Sequence, residues 1–352
     1  MASVSSESQS GSLSGAPPRG PVFLRALFGA AGRVALWLIA WLVPLSLASV
    51  LAFRFVEWFD QVAAHRYAPG SLRASLDEVF RFDHGPALAA LRDGAAHAAV
   101  AILLLMMLWG VFSAGGWLQV FLEKTNGHSV RRFFWGGAKY FWRFVRVWVV
   151  TLLLLSFVTW IVFGWPWKGL FLGVLLGLDG GDLELLASER SALTLTWLQA
   201  GLHALLVALT LVWADYTRTR IALQDARSVL WAGLCTALLL LRHPIRTLRP
   251  FLLLFGLELL VVWLVGGYAR GTSDGFGPDA GVLRLLLIFF LGQSVIVFQT
   301  IARAARYHAA VALSHQYVPS SASPDPWAKR VGGPGGPQYP IDDSDDTYAI
   351  SL

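Results

Sequence analysis

The chain has 352 residues, of which 56% are hydrophobic and 14% are charged. A mean hydropathy of +0.57 is far too high for a soluble domain of this length, so composition excludes the soluble classes and indicates an integral membrane protein. A single cysteine, Cys235, excludes an intramolecular disulfide and a thiolate metal cluster. The net charge of +6 comes from basic residues clustered beside apolar segments, which favours lipid headgroups over nucleic acid as the partner.

Six apolar segments are long enough to cross a hydrocarbon core of roughly 30 Å at about 1.5 Å per residue. They cover residues 34–53, 98–116, 147–165, 195–214, 250–267 and 282–301, and Pro250 is predicted to open the fifth. Residues 1–21 and 318–352 are rich in Ser, Gly and Pro, and the second stretch ends in acidic residues, so both are predicted to be disordered tails. The pattern predicts an all-α, polytopic membrane helix bundle over residues 22–317.

The first span has a rival interpretation as a secretory signal peptide, because Ser46-Leu47-Ala48 resembles a cleavage site. The charged segment before it is long, and the apolar run continues past that site. An uncleaved first span is therefore favoured.

The charge of the connections predicts the orientation of the bundle. Residues 117–146 and 215–249 carry an excess of basic over acidic side chains. In residues 54–97 there is no such excess. Basic loops beside spans stay on the cytoplasmic side, so both termini are predicted to be cytoplasmic, in the inner (plasma) membrane. The run 229–241 is apolar but has only thirteen residues, and it is predicted to form an interfacial helix along the inner surface. Two shorter interfacial stretches are expected on the outer side, at 71–80 and 169–177.

The basic connections are predicted to contact lipid headgroups. Aromatic residues are interleaved with the charges at 133–142, a pattern that also occurs in single-stranded nucleic-acid sites but beside two spans indicates an interfacial belt. The candidate headgroup-contacting residues are Arg131, Arg132, Arg143, Arg218, Arg220, Arg242, Arg246 and Arg249. Membrane lipids are the expected partners, and a protein partner on the cytoplasmic side is a further possibility.

Polar residues within spans are the other functional candidates, because a charge in hydrocarbon is unfavourable and is usually shielded by neighbouring spans. Glu258 lies near the middle of the fifth span, Gln293 near the middle of the sixth, and His203 in the outer half of the fourth. We expect Glu258, Gln293 and His203 to meet inside the bundle. The cluster would either bind a proton or cation, or hold the spans together with Glu258 protonated.

Few catalytic patterns are present in the sequence. It contains no HExxH or P-loop motif and no Cys/His ligand spacing, so we expect no catalytic site, metal or cofactor.

A faint internal repeat relates residues 98–165 to residues 195–267. Each copy would have an inward span, a basic stretch and an outward span, with Phe134-Trp135-Gly136-Gly137 matching Leu230-Trp231-Ala232-Gly233. Because both copies would have the same orientation, they would not be the inverted repeats that surround a midplane transport site. Duplication and chance both remain open as explanations.

The stretch Asp215-Tyr216-Thr217-Arg218-Thr219-Arg220, continued by Asp225-Ala226-Arg227-Ser228 and Arg242-His243-Pro244, resembles a pattern in bacterial six-span membrane proteins. That family is distantly similar to the membrane domain accompanying some glycerophosphodiester phosphodiesterases. The resemblance covers the last four spans and implies a membrane role without the phosphodiesterase activity.

Two classes of function follow from the sequence. The first is a non-enzymatic membrane component, structural, lipid-interacting or partner-binding, that works through its basic inner surface. The second is a transporter or permease for a small or lipidic solute with a site near Glu258.

The predicted orientation is tested by fusing topology reporters to the chain. Fusions at His243 and at the carboxyl terminus should report the same, cytoplasmic side, and a fusion within residues 54–97 should report the other side. If His243 and the carboxyl terminus lie on opposite faces of the bilayer, the six-span scheme is wrong.

Overall fold

The computed structural model describes residues 21–62, 84–123, 128–175, 188–273 and 282–318, together with Phe82 and Gly177. The predicted interfacial helix 71–80, and both predicted tails except for Pro21 and Val318, lie outside the described residues. The described α-helices are α1 (Val22–Ala31), α2 (Val34–Val62), α3 (Gly85–Leu122), α4 (Ser129–Phe163), α5 (Glu189–Gln224), α6 (Val229–Arg242), α7 (Pro244–Ser273) and α8 (Val282–Ser314).

The all-α membrane bundle predicted from the sequence is confirmed. Among the described residues, six helical stretches are long and apolar enough to cross a membrane, and they belong to α2, α3, α4, α5, α7 and α8. Most of these helices extend beyond the predicted spans. Helix α5, for example, continues ten residues past the predicted end at 214, into the basic connection.

Local sequence sets the helix boundaries at this connection. Asp225 ends α5 in the left-handed conformation, with φ of 50°, which the short polar side chain of aspartate tolerates. Ser228 then caps α6, because its hydroxyl oxygen accepts a hydrogen bond from the backbone N–H of Trp231 at 3.3 Å. The 14 residues of α6 are too few to span a bilayer, which agrees with the predicted surface helix.

The start of the fifth membrane helix and the presence of a short helix before the first span differ from the prediction. The helix of the fifth span begins at Pro244, and Pro250 lies inside it, so the prediction that Pro250 opens this span was wrong. Pro244 satisfies the same physical rule earlier in the chain, since the first helical residue needs no backbone donor. The short helix α1, which was not predicted, packs against α8.

The core lies at one end of the bundle. Apart from Thr151 and Val162 of α4, the buried residues of α3, α4, α5, α6 and α8 fall within 111–120, 132–147, 212–223, 229–236 and 302–314, and we call these segments the basic layer. By contrast, each membrane-spanning helix contains an apolar stretch of 18 residues of which only 6–22% is buried inside the bundle. Lipid tails solvate leucine as well as a protein interior does, so these apolar stretches do not need to pack as tightly as the basic layer does.

Helices α3 and α4 make the closest contact in the basic layer, through glycines. A Cβ added at Gly136 would lie 2.3 Å from Gln119 Cβ and 2.7 Å from Gly115 O. A Cβ at Gly115 would lie 2.8 Å from Gly136 O. These distances leave no room for a methyl group, so glycine at both positions sets the separation of the two backbones.

The two copies of the proposed repeat share one packing contact. In the first copy a Cβ at Gly137 would lie 2.6 Å from the ring of Phe112 on the preceding helix. In the second copy a Cβ at Gly233 would lie 2.6 Å from the ring of Trp213, again on the preceding helix. The matched glycines therefore occupy equivalent places, although the second copy is interrupted at His243 where the first continues as one helix.

The close approach of α3 and α4 predicts a strong effect of the Gly136→Ala substitution. The added methyl group should overpack the contact and lower the free energy of unfolding in detergent by about 1–3 kcal/mol. Gly256→Ala is the matched control, because a Cβ at Gly256 meets nothing within 4 Å. Equal effects of the two substitutions would contradict this account of the contact.

Candidate functional site

A charged cluster connects three helices within the bundle, and we define it as Asp215, Arg218, Glu258, Arg306 and Tyr307. Asp215 on α5 is 6% exposed. Its Oδ1 accepts a hydrogen bond from Arg218 Nη1 at 3.0 Å, and its Oδ2 lies 3.7 Å from Arg306 Nε on α8. One carboxylate therefore faces two guanidinium groups.

Arg306 extends the cluster to α7. Its Nη1 donates a hydrogen bond to Glu258 Oε2 at 2.7 Å, and its Cζ lies 4.5 Å from the ring centroid of Phe255. Arg218 Nη1 also donates to Tyr307 Oη at 3.4 Å. These contacts cross-link α5, α7 and α8 through groups that are expensive to bury unless they are paired.

A cavity of about 480 Å³ lies beside this cluster, between α2, α3, α4, α5 and α8. Its volume falls in the usual range for small-molecule sites. The wall is polar at Asp215, Arg218, Arg303, Arg306 and Tyr307. Elsewhere it is largely apolar, and that part includes Pro44, Met106, Met107, Leu211 and Ile296.

The cavity wall carries more positive than negative charge. Three arginines and one aspartate line it, and Glu258 pairs with Arg306 from outside the lining. Arg303 is exposed and forms no ion pair within the described part of the chain. The Nε atoms of Arg218 and Arg306 are buried and have no hydrogen-bond partner among the described residues. The three arginines, Asp215 and Glu258 together leave one unit of positive charge.

The predicted polar cluster of Glu258, Gln293 and His203 does not form. Gln293 Oε1 accepts a hydrogen bond from Trp41 Nε1 at 3.1 Å, and His203 Nε2 lies 3.2 Å from Thr159 Oγ1. Gln293 precedes Arg306, the partner of Glu258, by thirteen residues on α8, which is about 20 Å along a helix. Glu258 and Gln293 therefore lie at different depths in the bundle, although hydropathy alone placed both near the middle of their spans.

The predicted headgroup-contacting arginines divide into two groups. Arg131, Arg242, Arg246 and Arg249 are exposed, as that role requires. Arg132 is 4% exposed, because it lies on the buried face of α4 with Phe133 and Gly136, and the prediction for it was wrong.

The remaining three arginines of that prediction are engaged within the chain. Arg218 belongs to the charged cluster, Arg143 forms an ion pair with Asp225, and Arg220 Nε donates to Gln224 Oε1 at 3.1 Å. Only 12% of the Arg218 side chain is exposed, so it lies inside the bundle beside Asp215 and not at the bilayer surface where the prediction placed it.

The exposed arginines of α7 continue an exposed apolar face of α6, and together they form a surface that we call the basic edge. It consists of Leu230, Trp231, Leu234, Leu238, Leu241, Arg242, Ile245, Arg246 and Arg249. The opposite face of α6 is buried at Val229, Ala232, Gly233 and Thr236, and Trp213 Nε1 of α5 donates to Gly233 O at 2.9 Å. The packing therefore determines which side of α6 faces outward.

Sequence reasoning placed Asp215 in the basic connection 215–249 and did not single out Arg303, and it did not predict the charged cluster or the cavity. The available signal was spacing: Asp215 and Arg218, like Arg303 and Arg306, stand three residues apart and share a helical face. That spacing identifies a charged face on each helix but not the helix that it meets.

Comparison of the chain with protein-family models, with curated proteins and with solved structures finds no match. The resemblance of Asp215–Arg220 to bacterial six-span proteins therefore stays a prediction. Among the described residues no group of three or more His, Cys, Asp or Glu side chains is arranged to hold a metal ion.

The charged cluster predicts non-additive mutational effects on stability. Glu258→Leu leaves Arg306 with the 3.7 Å contact to Asp215 as its one ion pair among the described residues, so we expect the free energy of unfolding to fall by about 3–5 kcal/mol. The double variant Glu258→Leu/Arg306→Leu removes both charges and should lose less than the sum of the single variants. A double-mutant cycle in detergent measures this coupling, and strictly additive losses would show that the pair does not act as a unit.

Proposed function

We propose that this multi-pass membrane protein is a non-enzymatic, lipid-interacting component that binds anionic headgroups along the basic edge. The single observation that carries the proposal is the exposed face of α6 and the start of α7. There, large apolar side chains on α6 lead directly into three exposed arginines, Arg242 at the end of α6 and Arg246 and Arg249 on α7.

The composition of the basic edge matches a bilayer interface. Trp231 is 65% exposed and Leu241 is 77% exposed, so each leaves apolar surface that water would solvate poorly. A helix with such a face lies in the headgroup region, with its apolar side chains toward the acyl chains and its long cationic side chains toward phosphate. Three arginines near an anionic surface would contribute about 1 kcal/mol each.

The same surface supports an orientation. We propose that the basic edge, the basic layer and both termini face the cytoplasm, because basic segments beside membrane helices are retained there. An exposed face of this chemistry also suits a partner protein on the cytoplasmic side. On the basic edge, leucines are followed by arginines at one end, and this arrangement favours lipid over a partner protein.

A transporter or permease for a small or lipidic solute is the second candidate function. The observation that favours it is the cavity itself, since Arg306 lines it and pairs with Glu258. Uptake of solute into proteoliposomes that is abolished by Glu258→Gln would support this function.

The lipid proposal is tested in reconstituted bilayers with spin-labelled phosphatidylglycerol and phosphatidylcholine. The motionally restricted fraction of each lipid gives their relative association with the protein. We expect the wild-type chain to prefer phosphatidylglycerol several-fold. The triple variant Arg242→Gln/Arg246→Gln/Arg249→Gln should lose most of this preference, and raising the salt concentration should weaken it in the wild type.

A matched triple variant at the other end of the bundle controls for the loss of charge. Arg54, Arg92 and Arg190 are also exposed, so changing all three to glutamine removes the same charge from a different place. This control should keep the preference for phosphatidylglycerol. If both triple variants behave alike, the basic edge has no special role and the proposal is wrong.

A further inference from the structure

We propose that the cavity is a binding site for one anionic glycerolipid, with a phosphodiester headgroup at Arg303, Arg218 and Arg306 and an acyl chain in the apolar part. This inference is independent of the basic edge. The basic edge would contact many exchanging lipids at the surface, whereas the cavity would hold a single lipid between helices.

The cavity changes from apolar to polar in the same direction along three helices. Met106 precedes Ser113 on α3, Leu211 precedes Arg218 on α5, and Ile296 precedes Arg303 on α8. Each pair is seven residues, or about 10 Å, apart. All six residues line the cavity, and the later member of each pair lies nearer the basic layer.

This gradient matches an amphiphile and not a small polar solute. Methionine, leucine and isoleucine at one end provide an apolar surface for methylene groups, and arginines at the other end provide donors for an anion. The polar end would lie nearest the headgroup region, since the basic layer forms one end of the bundle. A lipid with its phosphate at the polar end would thus keep the direction that it has in the bilayer.

Charge balance identifies the headgroup class. The surplus of one positive charge requires one negative charge, which a phosphodiester carries at neutral pH. Arg218, Arg303 and Arg306 all line the cavity, and Arg303 is the exposed one of the three and forms no ion pair with a described residue, so its guanidinium offers donors to a ligand. Arginine donors of this kind bind phosphate oxygens through charge-assisted hydrogen bonds.

The position beside Arg303 is open. A Cβ added at Gly110 would meet only Arg303 Nη1, at 3.9 Å. A larger side chain at Gly110 would therefore enter the space beside this arginine without overpacking the helices. The site can thus be blocked without changing its charge.

Native mass spectrometry of the full chain in detergent, titrated with phosphatidylglycerol, tests the inference. We expect the wild-type protein to retain one phosphatidylglycerol molecule more tightly than any further lipid, and to bind phosphatidylcholine more weakly. Arg303→Gln should weaken that first binding step about tenfold, because one charge-assisted contact is lost. Gly110→Leu should weaken it at least as much by filling the space.

Two variants control for effects that do not involve the cavity. Arg92→Gln removes an exposed arginine that belongs to neither the cavity nor the basic edge, and Gly201→Leu adds the same side chain as Gly110→Leu where a Cβ meets nothing within 4 Å. Both should bind the first phosphatidylglycerol as the wild type does. The melting temperatures of all four variants in detergent should stay close to the wild-type value, since Arg303 makes no ion pair with the described residues and Gly110 has room.

Three results would overturn the inference. The first is equal loss of lipid in Arg303→Gln and Arg92→Gln, which would assign the binding to general surface charge. The second is undiminished binding in Gly110→Leu. The third is Arg303-dependent binding of inorganic phosphate without retention of phosphatidylglycerol, which would make the occupant a free anion.

Discussion

The ion pairs of Asp215 are the interaction on which the rest of the structure depends. Unpaired charges are unfavourable in an apolar bundle, so Asp215, Arg218, Glu258 and Arg306 are stable there only in contact with one another. Because these residues belong to α5, α7 and α8, their pairing determines how these helices are rotated and at what depth they meet. The cavity and its surplus of positive charge follow from that arrangement.

The position of the core shows that different parts of the helices pack against one another and face lipid. Burial is concentrated in the basic layer, where small residues such as Gly115 and Gly136 let backbones approach closely. The apolar stretches of the membrane helices beyond it are mostly exposed, and lipid chains can cover them without a penalty in free energy. The surfaces proposed to bind lipid accordingly belong to the basic layer or adjoin it, where polar groups are held by a packed scaffold.

Sequence reasoning succeeded where a property depends on one segment alone. The six membrane helices and the short helix α6 follow from apolar length, and Arg242, Arg246 and Arg249 are exposed as predicted. It failed where two segments must meet. Glu258 pairs with Arg306 instead of Gln293, and Arg132 is buried although its charge suggested the surface. Neither outcome depends on the hydropathy or charge of the residue itself.

The sequence by itself determined the class of protein, the number of membrane helices and the ends at which positive charge collects. These properties are sums of hydropathy or charge over neighbouring residues. Because the bilayer has a fixed thickness, the length of an apolar segment directly indicates a membrane helix. Only the tertiary structure decided which arginines are buried, which carboxylates they face and where the cavity lies. Such contacts depend on the rotation and relative depth of helices that are far apart in the chain. The ion pairs of Asp215 and the close packing at positions such as Gly136 determine both.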